Sequence, residues 1–294
     1  MKIIDLIKKL RKKFLITKSK NKLLIKILEI SLEKNFINWN YNEKIHPSKV
    51  KISEKLCEFV FNKSFPIQYL QSIVTFGSLQ LYINPFTLIP RPETEMIVEK
   101  IYNYLKKEEI FQKYSKIILL DFGTGSGNII LYLLKLIKNN IKENQLKSIA
   151  FDISFKTLKT ALKNSILNNL DTVFINTENL EILKIPQNYY FILISNPPYL
   201  TRREFRKELF FEPSYAIFTP KKTLFYKKII NFFTNKKDIK DINFSLFFEI
   251  DQKALKLLIK FLLKNNLKNN FHFSYENVQK NIFIFHIHNQ IKNP

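Results

Sequence analysis

The chain has 294 residues, of which 46% are hydrophobic and 25% charged, so it can form one large domain or two smaller ones and is not disordered. No apolar run approaches the roughly 18–20 residues that a membrane span needs, and the basic, amphipathic start lacks the features of a secretory signal. The single cysteine, Cys57, excludes an internal disulfide framework and a multi-cysteine metal site. We therefore expect a cytoplasmic protein with no metal and no membrane attachment.

The net charge of +23 is compatible with a nucleic-acid partner. However, the lysines are scattered along the whole chain, and Lys, Asn, Ile and Phe are all abundant, as a genome rich in A and T would encode. We therefore favour compositional bias over a dedicated nucleic-acid surface, and a nucleic-acid partner stays an alternative.

The first 70 residues predict helices, because apolar side chains recur there at helical spacing. Residues 73–83 instead predict a β-hairpin with its turn at Gly77 and Ser78, and three prolines between residues 85 and 92 predict a loop. The predicted organisation is a helical domain over residues 1–72, a hairpin and linker over 73–91, and a second domain over 92–294.

In the second domain, predicted strands alternate with helices, which is typical of a parallel, doubly wound α/β sheet. The last two strands follow each other directly and predict an antiparallel hairpin at one edge. The strands are predicted at residues 116–121, 148–152, 172–175, 190–195, 244–250, 271–275 and 281–288, and helices at 128–136, around 158–162, and at 254–263.

Glycine usage points to a first candidate site. An average chain of this length would contain roughly 20 glycines, but this one has four, and three of them are Gly123, Gly125 and Gly127. They lie between a strand and a helix, where glycines let a ligand approach the backbone and where helix N-terminal amides can donate. Asp121 is expected to support this turn by hydrogen bonding.

Asp152 ends the next strand, where a carboxylate can accept hydrogen bonds from both hydroxyls of a ribose. The glycine turn and this acid together resemble the cofactor-binding motifs of S-adenosylmethionine-dependent methyltransferases. A tight turn without a ligand is the alternative, and the scarcity of glycine elsewhere in the chain makes it the weaker interpretation.

A second candidate site, Asn196-Pro-Pro-Tyr199, directly follows a predicted strand. The prolines fix the backbone and remove N–H donors, so that nearby carbonyls can face a ligand. The Asn side chain adds another carbonyl, and the tyrosine adds a flat stacking surface. Two acceptors beside a flat ring suit a planar NH₂ group, and the motif occurs in methyltransferases that act on amide or exocyclic amine nitrogen.

Three further segments are informative: residues 65–70, FPIQYL, residues 88–95, LIPRPETE, and residues 211–216, FEPSYA. They resemble the HemK/PrmC family, the N5-glutamine methyltransferases of peptide chain release factors. A related family that methylates a ribosomal-protein glutamine shares Asn-Pro-Pro-Tyr but differs after Pro-Arg. The sequence from Arg91 to Glu95 therefore favours the release-factor family.

This resemblance implies a Rossmann-like class I methyltransferase domain preceded by a small helical domain and a β-hairpin linker. It implies transfer of a methyl group from S-adenosyl-L-methionine to the glutamine of the GGQ motif of release factors. Asn196 and Pro197 would hold the glutamine amide, and Pro198 and Tyr199 would fix its plane. We expect a monomer whose N-terminal domain recognises the release factor.

Residues 176–180 match the adenine-binding stretch of the family, which usually has an Asp followed by an aromatic residue. Here Glu178 can still accept from the adenine amino group, whereas Asn179 cannot stack as an aromatic ring would. The expected cofactor-binding residues are Gly123, Thr124, Gly125, Ser126, Gly127, Asp152, Glu178, Asn179 and Asn196.

Three alternative functions stay open at this point. The same motifs suit methylation of a ribosomal-protein glutamine, or of an exocyclic amine in a DNA or RNA base. A third alternative is a catalytically inactive binding module, which the intact glycine turn, Asp152 and the Asn-Pro-Pro-Tyr sequence argue against.

Overall fold

The computed structural model describes residues 1–183, 186, 188–235, 242–265, 267 and 271–289. Residues 290–294, the end of the predicted second domain, lie outside the described residues. The chain divides into two compact units. The first comprises Met1–Ile73 and Arg206–Phe211, and the second comprises Val74–Phe205 and Glu212–Pro294.

The first unit is helical, as predicted. Its helices bury one apolar face each, and Leu6, Leu10 and Ile27 are fully inaccessible to solvent. Trp39 and Cys57 belong to the same apolar core, so Cys57 is a buried free thiol. The helices are α1 (Ile3–Lys13), α2 (Asn21–Leu32), α3 (Pro47–Cys57) and α4 (Ile67–Gln71), and a π-helical turn covers Glu58–Asn62.

The predicted hairpin is confirmed, with strands β1 (Ile73–Phe76) and β2 (Leu79–Tyr82). Its turn residue Gly77 has a φ of +54°, and a Cβ there would lie 2.1 Å from the ring of Tyr132. Both the backbone conformation and the close approach therefore require glycine.

A seven-stranded sheet forms the centre of the second unit, in the order β5-β4-β3-β6-β7-β9-β8. The first five strands in this order are parallel, and β9 and β8 pair antiparallel, which confirms the predicted sheet with a mixed edge. The strands are β3 (Ile117–Phe122), β4 (Leu146–Asp152), β5 (Val173–Asn176), β6 (Tyr190–Ser195), β7 (Asn243–Asp251), β8 (Phe271–Gln279) and β9 (Ile282–Asn289).

Helices cover both faces of this sheet. Alternate residues of β3 point to opposite faces: Ile117 and Leu119 join one apolar core with α5 and α7, and Ile118 and Leu120 join another with α10 and α11. The helices of this unit are α5 (Pro92–Lys107), α6 (Ile110–Lys113), α7 (Asn128–Ile137), α8 (Phe155–Asn168), α9 (Ser214–Ile217), α10 (Leu224–Asn235) and α11 (Gln252–Lys264).

Some elements differ from the sequence-based expectations. Helix α5 was not predicted, and it begins at Pro92, a residue of the predicted loop. Proline is favourable at the first helical position because its missing N–H would have no partner there. Strand β8 was predicted to end at Tyr275 but continues to Gln279. Near its end, buried and exposed side chains do not alternate clearly, so the sequence pattern did not indicate the extension.

Several turns of left-handed backbone are made by residues other than glycine. Helix α2 is followed by Glu33 with a φ of +55°, α4 by Ser72 with +60°, and α8 by Asn169 with +52°. None of the helices in the described part of the chain is long and apolar enough to cross a membrane.

The order of the strands determines where a ligand can bind. From β3 the chain proceeds to β4 and β5 on one side, and then to β6 and β7 on the other. Such a switch point leaves a crevice beyond the carboxyl ends of the central strands, and ligands of open α/β sheets bind there.

Candidate active site

A cavity of about 280 Å³ lies beyond the carboxyl ends of β3, β4 and β6. Its walls come from the loops that follow these strands and β5, from the segments that precede α5 and α10, and from the first turns of α5, α7, α8 and α10. The lining includes Phe122–Ser126, Asn128, Ile129, Asp152, Ile153, Thr157, Thr177, Glu178, Asn196–Pro198, Phe86, Leu88–Arg91, Thr94, Tyr215, Ala216, Phe218 and Phe225.

The three glycines of the turn differ in what surrounds them. Gly123, Gly125 and Gly127 have φ values of +78°, +58° and +81°, which L side chains rarely adopt. A Cβ at Gly123 or Gly125 would meet no atom within 4 Å, so these two residues leave open space at the cavity wall. A Cβ at Gly127 would lie 3.0 Å from the side chain of Leu131, so Gly127 serves helix packing and does not line the cavity.

Asp121 supports the glycine turn by hydrogen bonding, as the sequence suggested. The Thr124 hydroxyl donates to Asp121 Oδ2 at 2.7 Å, and both residues are buried. Burial raises the pKa of Asp121 to about 7, against the opposing effect of the hydrogen bonds from Thr124 and the Ile130 amide. The other oxygen, Oδ1, has no hydrogen-bond partner within the described residues.

Asp152 connects the glycine turn to the start of α8. Its Oδ2 accepts from the Gly125 amide at 3.0 Å, and its Oδ1 accepts from the Ser154 amide at 2.8 Å. Burial raises the pKa of Asp152, and these two amide bonds oppose that rise. The carboxyl group is thus held in one orientation at the cavity wall, and each of its oxygens has a further lone pair for a ligand.

Of the two residues expected to bind adenine, Glu178 lines the cavity and Asn179 does not. Glu178 lines the wall with a side chain that is 57% exposed, and Lys228 Nζ lies 3.8 Å from its carboxylate. The Asn179 side chain instead accepts from the backbone amide of Glu181 at 3.0 Å and lies outside the cavity lining. Asn is a favoured N-cap residue, and Asn179 caps the short helical turn Leu180–Ile182.

The loop after β6 places Asn196, Pro197 and Pro198 in the cavity wall. The hydroxyl of Ser195 donates to the Phe122 carbonyl at 2.6 Å, which joins this loop to the end of β3.

Tyr199 lies outside the cavity lining and packs on the apolar core. Burial raises its pKa, so its phenol stays protonated at neutral pH. Its backbone carbonyl accepts from Lys222 Nζ at 3.0 Å, and Lys222 also pairs with Glu204 and Asp251.

Two residues at this site escaped the sequence analysis. Thr94 lines the cavity beside Asn196, and its hydroxyl accepts from Asn196 Nδ2 at 3.4 Å and donates to Glu249 Oε2 at 2.6 Å. Glu249 is fully buried in β7, and burial raises its pKa to about 7. The signal that could have found Glu249 is an acid enclosed between apolar neighbours, Phe248 and Ile250, inside a buried strand.

The composition of the cavity fits S-adenosylmethionine. Its wall combines a buried carboxyl group that can accept from hydroxyls, glycine backbone that leaves space for a ligand, and apolar side chains such as Leu88, Ile129 and Ile153. The residues that would hold it are Gly123–Ser126 of the glycine turn, Asp152 and Glu178. Among the described residues, no group of three or more His, Cys, Asp or Glu side chains is placed to hold a metal ion.

Solved structures share this fold. The chain aligns with the hMettl16 catalytic domain in complex with MAT2A 3′UTR hairpin 1 at a TM-score of 0.52, with 14% identity over 87% of this chain and 86% of that one. The complex of the same domain with hairpin 6 aligns at 0.50, with 15% identity over 87% of this chain and 88% of that one. The fold and the cavity define a class I methyltransferase, an enzyme whose methyl donor is S-adenosylmethionine.

Sequence relatives identify the family within this class. No family model matches the chain. The release factor glutamine methyltransferase of Flavobacterium psychrophilum is 38% identical over 210 residues, which cover 68% of this chain and 69% of that protein. That of Buchnera aphidicola subsp. Schizaphis graminum is 36% identical over 186 residues, which cover 61% of this chain and 62% of that protein. The chain belongs to the release factor glutamine methyltransferase family.

Proposed function

We propose that this enzyme methylates the side-chain nitrogen of a glutamine in peptide chain release factors, namely the glutamine of the GGQ motif. The observation that carries the proposal is that Asn196-Pro-Pro shares one cavity wall with the glycine turn and Asp152. A methyl donor held by the turn would then lie beside a group that recognises a planar NH₂. The names of the relatives support the release factor as the substrate.

The reaction needs precise positioning, because an amide nitrogen is a poor nucleophile. The Asn196 side-chain carbonyl and the Pro197 backbone carbonyl would accept the two hydrogens of the glutamine NH₂, and Pro198 would contact the amide plane. When bound, S-adenosylmethionine supplies an electrophilic methyl group. Correct orientation can contribute roughly 7–11 kcal/mol to lowering such a barrier.

No general base is needed before methyl transfer. The departing proton becomes acidic only when the nitrogen gains the methyl group. The phenol of Tyr199 stays protonated because burial raises its pKa, so it is not a base at neutral pH. The residues of this loop therefore act by orientation and not by proton transfer.

The first unit is proposed as the surface that recognises the release factor. The proposed cofactor-binding and catalytic residues all belong to the second unit, which leaves the first free for this role. It contains a groove of about 280 Å³ between α1 and α2, lined mainly by apolar and aromatic side chains, among them Phe36, Trp39 and Tyr41. A monomer acting in the cytoplasm, where release factors work in translation, completes the proposal.

The alternative substrates considered from the sequence receive no comparable support. The two sequence relatives are named for release factors, whereas the RNA-bound hMettl16 structures share the fold alone. The basic charge is also compatible with compositional bias, as argued above.

Replacing Asn196 with alanine tests the proposed amide recognition. The substrate NH₂ loses one acceptor and can rotate, and a small misplacement of a reacting group costs about a hundredfold in rate. We expect kcat to fall by about that factor, measured by mass spectrometry of the methylated glutamine peptide. The affinity for S-adenosylmethionine, measured by calorimetry, should change much less.

Two outcomes of this experiment would contradict the proposal. A near wild-type kcat for N196A would exclude the amide clamp. A loss of activity explained entirely by lost cofactor binding would place Asn196 in the cofactor site alone. Absence of methylation on any release factor by the wild-type enzyme would refute the proposed substrate.

A further inference from the structure

Three polar side chains from distant parts of the sequence form a hydrogen-bonded chain that leads from the cavity wall into the buried sheet. Asn196 follows β6, Thr94 lies in the first turn of α5, and Glu249 lies in β7. Asn196 Nδ2 donates to Thr94 Oγ1 at 3.4 Å, and Thr94 Oγ1 donates to Glu249 Oε2 at 2.6 Å. Burial raises the pKa of the Glu249 carboxyl group, and the nearby Asn196 donor lowers it. Thr94 and Glu249 are only 2% and 4% exposed.

This chain bears on the orientation of the Asn196 amide. The two ends of an asparagine amide are nearly equal in shape, but one carries two donors and the other is an acceptor. An ionised carboxylate can only accept, so Glu249 attracts the NH₂ end of Asn196. The carbonyl end is then the end that remains for the cavity.

We propose that Glu249 is a positioning residue that acts with Thr94 to hold the Asn196 NH₂ away from the substrate, so that the Asn196 carbonyl receives the glutamine NH₂. The inference rests on the proposed function, because it concerns the same amide clamp. With the amide reversed, Asn196 would present a donor to a substrate group that is itself a donor, and the glutamine would lose its orientation.

The surroundings of Glu249 make this orientation dependent on pH. Burial raises the pKa of Glu249 to about 7. The donors of Thr94 and Asn196 oppose that rise. Among the nearby charges, Glu93 adds to the rise and Arg91 opposes it. Tyr199 and Tyr226 are the other titratable neighbours, and burial keeps both protonated. Below pH 7 the carboxyl group gains a proton that it can donate to the Asn196 carbonyl, so reversal becomes favourable. Activity should therefore fall as pH falls through about 7.

The test compares Glu249→Gln with two variants of Thr94. Glutamine has nearly the same shape but also carries a donor, so it no longer selects one orientation of Asn196. Thr94→Val removes the hydroxyl at nearly constant volume, and Thr94→Ser retains it. Ser148→Ala is the matched control, because it removes a buried hydroxyl that bonds to the Asp171 carbonyl at 2.8 Å, away from the cavity lining.

The expected result has three parts. kcat for methylation of the release factor falls by about tenfold to a hundredfold in E249Q and T94V, as misplacement of a reacting group predicts, whereas T94S recovers most of it. The decrease in kcat below pH 7 seen in the wild type disappears in E249Q. Cofactor affinity by calorimetry stays near wild type in all three variants, and S148A changes only thermal stability.

A second measurement does not depend on the substrate. The side-chain NH₂ resonances of Asn196, followed by NMR in the enzyme without release factor, should shift with a midpoint near pH 7 in the wild type and not in E249Q. Wild-type kcat in both E249Q and T94V, or an unchanged pH profile in E249Q, would overturn the inference while leaving the amide clamp intact. If N196A is fully active, or if wild type does not methylate release factor, the proposed function itself fails, and the NMR titration still decides whether Glu249 orients Asn196.

Discussion

Replacing Gly125 with alanine separates the two roles that glycine has in the turn after β3. Gly125 and Gly127 both have left-handed backbone, with φ values of +58° and +81°. They differ in the space around a new Cβ, which is open at Gly125 and lies 3.0 Å from Leu131 at Gly127. Gly127→Ala is therefore a matched control for the backbone strain of Gly125→Ala.

The magnitudes follow from this difference. Alanine in left-handed backbone costs roughly 1–2 kcal/mol, so both variants lose that much free energy of unfolding. The contact with Leu131 adds about 1–3 kcal/mol of overpacking in G127A. In G125A the methyl group meets no protein atom and instead occupies space at the cavity wall. An equal steric cost of about 1–3 kcal/mol against the bound cofactor weakens its affinity by about 5- to 150-fold.

Two measurements check this reasoning: calorimetric titration with S-adenosylmethionine and denaturant unfolding of both variants. We expect G125A to lose mainly affinity and G127A to lose mainly stability. Wild-type affinity in G125A, with the protein verified as folded, would refute the assignment of Gly125 to the cofactor-binding wall.

Two further changes test other parts of the site. Asp152→Ala removes a charged acceptor whose hydrogen bonds contribute roughly 1.5–3 kcal/mol each, so we expect cofactor affinity to fall by about tenfold to a hundredfold or more. Unchanged affinity by calorimetry would show that Asp152 is not the ribose ligand. Tyr41→Ser in the groove of the first unit should raise KM for the release factor without changing kcat, whereas Leu257→Ser on the exposed face of α11 should change neither; equal kinetics for both variants would argue against recognition by this groove.

The sequence indicated the parts of the site that are contiguous. The glycine turn, Asp152 and Asn196-Pro-Pro each lie directly after a strand, so a short motif and the strand pattern were enough to place them at one edge of the sheet. The seven strands were found for the same reason, since each apolar run is local.

The remaining features depend on contacts that no local pattern contains. Thr94 and Glu249 are 155 positions apart in the chain, and only the pairing of β6 with β7 and the position of α5 bring them together. Asn179 was assigned to the cofactor by its place in a motif, whereas its side chain caps a short helical turn. Helix α10 was not predicted at all, because its run of Phe, Tyr and Ile residues favours strand as much as helix.

The left-handed residues at the helix ends have a consequence for how this protein tolerates heat and mutation. Glu33, Ser72 and Asn169 occupy backbone conformations where glycine, with no Cβ, is the usual choice. The chain thus retains glycine at the cofactor turn and the hairpin and accepts conformational strain at the ends of its helices. This strain lowers the free energy of unfolding of the protein. Glycine substitutions at these three positions, which lie outside the cavity lining, would raise the free energy of unfolding without altering the chemistry.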